Sequence, residues 1–300
     1  MIRILVADRL SPRAIEKISE IPEFEVIERI GLSPAELAQE LAGAEAVIIR
    51  GRTAMSAAAI AAAPTLQLIV RAGTDLAGID LEAAEKRNIE VRHTPLASTV
   101  AVAELAIGLM LALCRQLATA ARVPGAPRDQ LPTGQELAHR TLGILGFGRT
   151  GSEVARRALA FGMKVVYADD RLIDPLPGTR QLSRHEVLES ADILSIHLPL
   201  TDTTRHLIGK AELARMKPGA LLVHVSRGAV VDLEALRQAL TENRLGGAAL
   251  DCLDPTTDVE GLRQAGANVW ITPRLATYTG EIEDRFGEGV IAILKEFFNV

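Results

Sequence analysis

Cysteine is almost absent: Cys114 and Cys252 are the only two in 300 residues. A four-cysteine zinc site is impossible, and a disulfide framework is implausible. Both sit in apolar runs and read as small core residues. Aromatic residues amount to 3%, too few for the stacking platforms that hold single-stranded nucleic acid. Positive charge is not in excess. The 33 Lys and Arg stand against 38 Asp and Glu, a net charge of −5, which argues against a dedicated nucleic-acid binder with its basic stripe. Long apolar runs are missing too. The most apolar stretch, Val102 to Cys114, spans 13 residues and contains Glu104, whereas a membrane span needs about 20. The opening run reaches Asp8 too soon for a signal-peptide core. No His/Cys/Asp cluster has metal-ligand spacing. A cytoplasmic protein without nucleic-acid, membrane or metal partners is expected.

Hydrophobic residues are abundant, at 48% with 24% charged, as in an ordinary globular protein. The length suggests two domains. Short β-branched runs alternate with Ala/Leu/Glu/Arg-rich stretches from end to end, the pattern of parallel sheets with crossover helices. The expected strands are Ile2–Ala7, Phe24–Ile27, Ala46–Ile49, Leu68–Val70 and Ile89–Arg92, then Thr141–Leu145, Lys164–Ala168, Ile193–Ile196, Ala220–Val225, Ala248–Leu250 and Val269–Ile271. Ser11-Pro12 and Ser33-Pro34 each set an N-cap before a proline at the first helical position. A long helical segment is expected from Thr99 to about Ala121. Val123-Pro-Gly-Ala-Pro127 then breaks it, and Glu281 to Phe298 returns to helical pattern.

Within the second series, Leu142-Gly-Ile-Leu-Gly146-Phe-Gly148-Arg149-Thr150-Gly151 runs from an expected strand into an expected helix. Each glycine of Gly-x-Gly-x-x-Gly has a task. Gly146 permits the tight turn, Gly148 lets backbone approach a pyrophosphate, and Gly151 lets helix and strand pack closely. Free amides at the helix start, at Arg149 and Thr150, then face the phosphates. The next strand ends in Asp169, eighteen residues past Gly151. A carboxylate there accepts the adenosine ribose hydroxyls and repels a 2′-phosphate, so NAD is expected over NADP. Asp170 reinforces this charge and Arg171 weakens it.

Several further stretches resemble the D-isomer-specific 2-hydroxyacid dehydrogenases, most nearly the 3-phosphoglycerate dehydrogenase branch. They are Arg71-Ala-Gly-Thr74 with Ile79-Asp-Leu-Glu-Ala-Ala84, His93-Thr-Pro95, Val102-Ala-Glu104 and the Thr141–Arg149 segment. They continue in His197-Leu198-Pro199-Leu-Thr201 with Thr204, Met216-Lys-Pro-Gly219, Ser226-Arg227-Gly-Ala-Val-Val-Asp232 and Gly247-Ala-Ala-Leu-Asp251. The resemblance implies an α/β fold of two doubly wound parallel-sheet domains. A Rossmann cofactor domain, residues 98–276, is inserted into a smaller flavodoxin-like substrate domain, residues 1–97 plus 277–300. It further implies a homodimer and an NAD-dependent oxidoreductase acting on a small anionic 2-hydroxy or 2-oxo acid, in a cleft that closes to exclude water.

By the same resemblance His197, Leu198, Pro199, Thr204, Val225, Ser226 and Asp251 flank the cofactor, with Asp251 beside the nicotinamide. Arg227 grips the substrate anion. Arg50, Arg71, Thr74 and Asp75 lie toward the substrate. For Arg50, Arg52 and Arg71 an anion site and ordinary ion pairing, including one with Asp75, stay equally open. The family's reaction also uses a histidine that shuttles the hydroxyl proton and a glutamate that raises its pKa. Here the residue after Thr272-Pro273 is Arg274, and the residue five past Asp251 is Thr256. Arginine stays protonated near neutrality, so the acid–base site is altered. Arg274 is expected beside Arg227, with Asp75 as a candidate counter-charge. Asp254 and Tyr278 are the alternative proton carriers. His93 and His224 read as structural histidines. A non-catalytic NAD(H)-binding sensor or partner-binding protein, and a lyase or epimerase with tightly bound NAD, remain the alternatives.

Overall fold

The computed structural model describes the whole chain except Leu96, Arg122 and residues 254–256. The chain divides into two compact units. One comprises Met1–Ser98 with Tyr278–Val300, and the other Thr99–Thr277.

The first unit carries five strands, β1 (Ile2–Val6), β2 (Phe24–Glu28), β3 (Ala46–Ile49), β4 (Leu68–Arg71) and β5 (Glu90–His93). All pair in parallel, in the order β2-β1-β3-β4-β5. Continuous apolar runs such as Ala46-Val-Ile-Ile49 are what a sheet covered on both faces requires, and all four residues are fully buried. Crossover helices begin at side-chain caps. The Ser11 and Ser56 hydroxyls and the Asp80 carboxylate accept first-turn amides, and Ser33 forms a reciprocal box with Glu36. The C-terminal helix Gly280–Phe298 packs on the helix Pro12–Ser19 within this unit. An alanine methyl at Gly287 would lie 2.3 Å from the Ala14 Cβ, so glycine is what lets the two helices meet.

The second unit holds seven strands: β6 (Thr141–Leu145), β7 (Lys164–Ala168), β8 (Thr179–Gln181), β9 (Ile193–Ile196), β10 (Ala220–His224), β11 (Leu245–Leu250) and β12 (Val269–Ile271). They run parallel in the order β12-β11-β10-β9-β6-β7-β8. The strand order reverses between β6 and β9, the switch point where doubly wound sheets bind ligands at their C-terminal edge. The helix Thr99–Cys114 is apolar nearly all round, with Glu104 its one charged residue, and nine of its residues are buried. It supplies one wall of the core, with Met110, Leu113, Ile144, Val154 and Tyr167.

Eleven expected strands are present, most within a residue or two of the expected bounds. Three differences are informative. β8 is an additional strand of three residues, Thr-Arg-Gln, with no apolar alternation to announce it. β11 starts three residues early, in Leu245-Gly246-Gly247, where the glycines give no strand signal. The helix expected to about Ala121 stops at Cys114. Gln116 takes a left-handed φ of +50°, and a short helix follows over Leu117–Ala120. The Gln116 side-chain amide donates to the Thr133 carbonyl at 3.0 Å, tying this break to the loop beyond.

Candidate active site

The glycine loop leaves β6 at the switch point. Gly146 has φ +88°, and a Cβ there would sit 2.8 Å from the His197 carbonyl oxygen. A side chain at Gly151 would lie 2.2 Å from the Gly146 carbonyl oxygen. Both positions therefore exclude any other residue. Gly148 is the N-cap of the helix Arg149–Ala160 and offers no side-chain cap. Its first-turn amides stay available to an anion. Arg149 is exposed and Thr150 half-buried. Beneath the loop the Phe147 ring stacks on Tyr167, centroids 3.7 Å apart.

Asp169 stands at the end of β7 with its side chain 7% exposed. One carboxylate oxygen accepts the Phe147 amide at 2.8 Å. Arg171 chelates both oxygens, Nε at 2.9 Å and Nη2 at 3.1 Å. Burial works against ionisation, but these bonds from Arg171 and Phe147 hold the carboxyl below its ordinary value. The turn 169–171 is fixed from β8, where the Gln181 amide donates to the Asp169 and Arg171 carbonyls at 3.0 and 3.2 Å. The sequence reading missed Gln181, because a single glutamine in a polar run carries no pattern. The uncapped loop, the excluded side chains and the acid at the second strand end fit a dinucleotide's pyrophosphate and adenosine ribose.

On the other side of the switch point, His197 follows β9 and Leu198 lies against Gly146. The Thr204 hydroxyl donates to the Pro199 carbonyl at 2.7 Å and accepts the Thr201 amide at 2.8 Å, knotting the 199–204 loop. His197 Nε2 and the buried Ser195 hydroxyl are 2.8 Å apart. His224 ends β10 fully buried. Its Nε2 donates to the Arg227 carbonyl at 2.9 Å, and Ser226 Oγ lies 3.3 Å from its Nδ1. Val225 is buried and Ser226 half-buried beside it. Burial and the neighbouring His224 push His197 down to about 3. Burial pushes His224 down to about 4, against the opposing pull of its backbone bonds to Arg227, Gly228 and Ile196. Both rings are therefore neutral imidazoles near neutrality, each with a single N–H.

A folded-state pKa below the unfolded value means that the unfolded chain takes up the protons as pH falls. Stability from these two histidines is thus present above the ordinary histidine value of 6.5 and declines as pH drops toward about 4 and 3. His224→Asn is expected to flatten the fall in melting temperature between neutrality and that acid range. Thermal unfolding at stepped pH checks this, and an unchanged slope would contradict it.

The ends of β10, β11 and β12 carry the remaining candidates of this unit. Arg227 is half-buried, and its Nη1 donates to the Ser226 carbonyl at 3.2 Å. A Cβ at Gly228 would lie 2.6 Å from the Cys252 carbonyl oxygen, so the Arg227 loop runs hard against the end of β11. Asp251 is buried there, 3% exposed. Its carboxylate accepts the Thr272 hydroxyl at 2.5 Å and the Leu275 and Ala276 amides at 2.6 and 2.8 Å. Asp251 therefore clamps the turn that carries Arg274. The sequence reading set this acid beside the nicotinamide and missed the clamp, whose partners lie more than twenty residues further along the chain.

Arg274 itself is exposed and left-handed, with φ +59°. Burial and the Asp251 charge push the Cys252 thiol up to about 12, while the Arg274 and Arg227 charges act in the opposite sense. Arg227 follows β10 and Arg274 follows β12, so both stand at the C-terminal edge of the same parallel sheet. Asp254 and Thr256 lie outside the described residues. Tyr278 is 82% exposed and belongs to the first unit.

In the first unit the switch point lies between β1 and β3. Asp8 is buried and accepts the Arg50 amide at 2.6 Å and the Thr53 amide at 3.1 Å. The Arg50 guanidinium pairs with Glu283 at 2.6 Å and lies 4.9 Å from the Phe286 ring centre. Arg71 donates to the Arg50 carbonyl at 2.6 Å and pairs with Asp75 at 3.0 Å. Arg52 is exposed and Thr74 half-buried. Asp75 thus has a cationic partner in Arg71, four residues earlier in its own loop. Arg50 and Arg71 are both ion-paired within this unit.

A seven-stranded parallel sheet with a glycine loop at its switch point and an acid after the next strand defines a dinucleotide-binding domain of the Rossmann class. Residues 107–276 match the family model described as D-isomer specific 2-hydroxyacid dehydrogenase, NAD binding domain. The chain belongs to the D-isomer-specific 2-hydroxyacid dehydrogenase family, and its cofactor is NAD. It is 35% identical to a hydroxypyruvate reductase of Thermotoga maritima over 98% of each chain. It is also 35% identical to a D-3-phosphoglycerate dehydrogenase of Methanocaldococcus jannaschii, over 99% of this chain and 57% of that one. The chain thus spans little more than half the length of that second relative. Among solved structures, the TT0316 protein from Thermus thermophilus superposes with a TM-score of 0.88 at 37% identity, covering 98% of this chain and 97% of that one.

Proposed function

We propose that this chain uses NADH to reduce a small unphosphorylated 2-oxo acid of the glyoxylate or hydroxypyruvate type, with Arg227 gripping the acid. The observation that carries this is the placement of two arginines at one edge of the sheet, Arg227 past β10 and Arg274 past β12. Asp251 holds the Arg274 turn by three bonds. Two such forks suit a carboxylate and the neighbouring carbonyl oxygen. The hydroxypyruvate reductase relative, matched over nearly its whole length, supports this substrate class. Arg50 and Arg71 are already neutralised by Glu283 and Asp75, which favours a substrate without a phosphate group. Arg274 and Thr256 stand where the family has its proton-shuttling histidine and the glutamate that supports it, and neither can move the proton. Turnover is therefore slow, with the proton drawn from solvent.

The assignment is tested by following NADH consumption with glyoxylate, hydroxypyruvate and its 3-phosphate. Slow consumption of the first two, ahead of the third, is expected. NADH should bind more tightly than NADPH, and Asp169→Ala should narrow the gap, as titration of cofactor fluorescence would show. Tighter binding of NADPH by the unmodified chain would contradict the role of Asp169. Binding without any consumption would favour a sensor.

We further propose a cytoplasmic homodimer. Leu117, Val123 and Leu131, exposed on the segment after the helix Thr99–Cys114, support the dimer. Light scattering of the eluted protein tests it. No helix among the described residues is long and apolar enough to cross a membrane.

A further inference from the structure

We propose that the Arg171 guanidinium holds the two carboxylate positions an adenosine ribose diol needs, so that it competes with NADH and serves as the counter-charge for NADPH. The proposal rests on the NAD site described above and concerns how that site discriminates.

A carboxylate offers about four lone-pair positions, and Asp169 uses four. One oxygen accepts the Arg171 backbone amide at 3.0 Å and Arg171 Nε at 2.9 Å. The other accepts the Phe147 amide at 2.8 Å and Arg171 Nη2 at 3.1 Å. The two backbone donors are built into the fold. Phe147 belongs to the glycine loop, and the Arg171 backbone is held from β8 by Gln181. The two guanidinium donors are not so held. The Arg171 side chain is 69% exposed, against 7% for Asp169. Only these two bonds can be surrendered, and the 2′- and 3′-hydroxyls of a ribose need two.

Displacing the guanidinium does not send it far. Its Nη2 lies 3.6 Å from where a Gly148 Cβ would be, alongside the loop that faces the phosphates. A 2′-phosphate would bring further negative charge to Asp169, and a planar guanidinium on a mobile stem is the group suited to neutralise it by a bidentate contact. The same side chain therefore acts in opposite directions on the two cofactors. It weakens NADH by the strength of an exposed ion pair and supplies NADPH with a cation.

The test is titration of NADH and of NADPH fluorescence with the unmodified chain and with Arg171→Ala and Asp169→Ala, a readout independent of turnover. Arg171→Ala is expected to tighten NADH about two- to fivefold, the range of an exposed ion pair. It is expected to weaken NADPH about tenfold, as when a charged hydrogen bond is lost. Asp169→Ala, which releases Arg171, should bring NADPH level with NADH or ahead of it. Unchanged or weaker NADH binding in Arg171→Ala would overturn the competition, and unchanged NADPH binding would overturn the counter-charge. Failure of the unmodified chain to bind either cofactor would instead refute the NAD site itself.

Discussion

Arg227→Ala is expected to lower kcat/KM for glyoxylate by about 10²–10³-fold, the usual cost of removing one preorganised donor from a developing oxyanion. Hydride arrival at C2 turns the carbonyl oxygen into an alkoxide. A fixed cation beside that oxygen stabilises the transition state more than the ground state. The loss should therefore fall on kcat as well as KM. NADH affinity should stay nearly unchanged. The residue's backbone, which His224 holds at its carbonyl, keeps its place when the side chain is cut. Arg227→Lys should recover little, because one ammonium cannot reproduce the planar fork. Steady-state kinetics with parallel NADH titration check this. Equal kcat/KM in variant and parent would remove Arg227 from the site.

Arg274→His combined with Thr256→Glu is expected to raise kcat for the same acid by about 10²-fold, the lower end of what a positioned general acid contributes. Arg274 follows Thr272-Pro273 in the turn that Asp251 clamps through the Leu275 and Ala276 amides. A histidine there inherits a held backbone, and by the family resemblance the glutamate is the group that would raise its pKa. The gain should follow pH, with the reduction rate falling as the new histidine loses its proton. The parent should lack that limb, since among the described groups His197 and His224 have left the neutral range by burial. Arg274→His alone should gain less than the pair. A pH–rate profile of parent, single and double variants separates these cases. No gain in the double variant would mean that another group, with Asp254 first in line, already moves the proton.

How far these sites could be read from residues alone depended on the range of the contacts. The glycine loop was legible because local sterics admit no alternative at Gly146 and Gly151. The buried parallel strands were legible because a sheet covered on both faces demands unbroken apolar runs, as in Ile193–Ile196. β8 was not, since three polar residues at a sheet edge need no hydrophobic face. The left-handed Gln116 was also hidden, and its side-chain partner, Thr133, lies seventeen residues away. Side-chain roles were harder to read than elements. Asp251 was legible as a cofactor neighbour, whereas its bonds to Thr272, Leu275 and Ala276 emerge only from the fold. Arg171 looked like a stray charge near Asp169, and only the fold reveals that it chelates both oxygens. The family's motifs told where a histidine and a glutamate would stand, and so made Arg274 and Thr256 conspicuous.

The most direct test of the account is NADH consumption with glyoxylate and hydroxypyruvate at substrate saturation, the unmodified chain beside Arg227→Ala, with the 2-hydroxy acid product identified by chromatography. The account predicts slow, stoichiometric formation of glycolate or glycerate by the unmodified chain and near-complete loss in the variant. Bound NADH that is never consumed, or product formed equally well without Arg227, would contradict it.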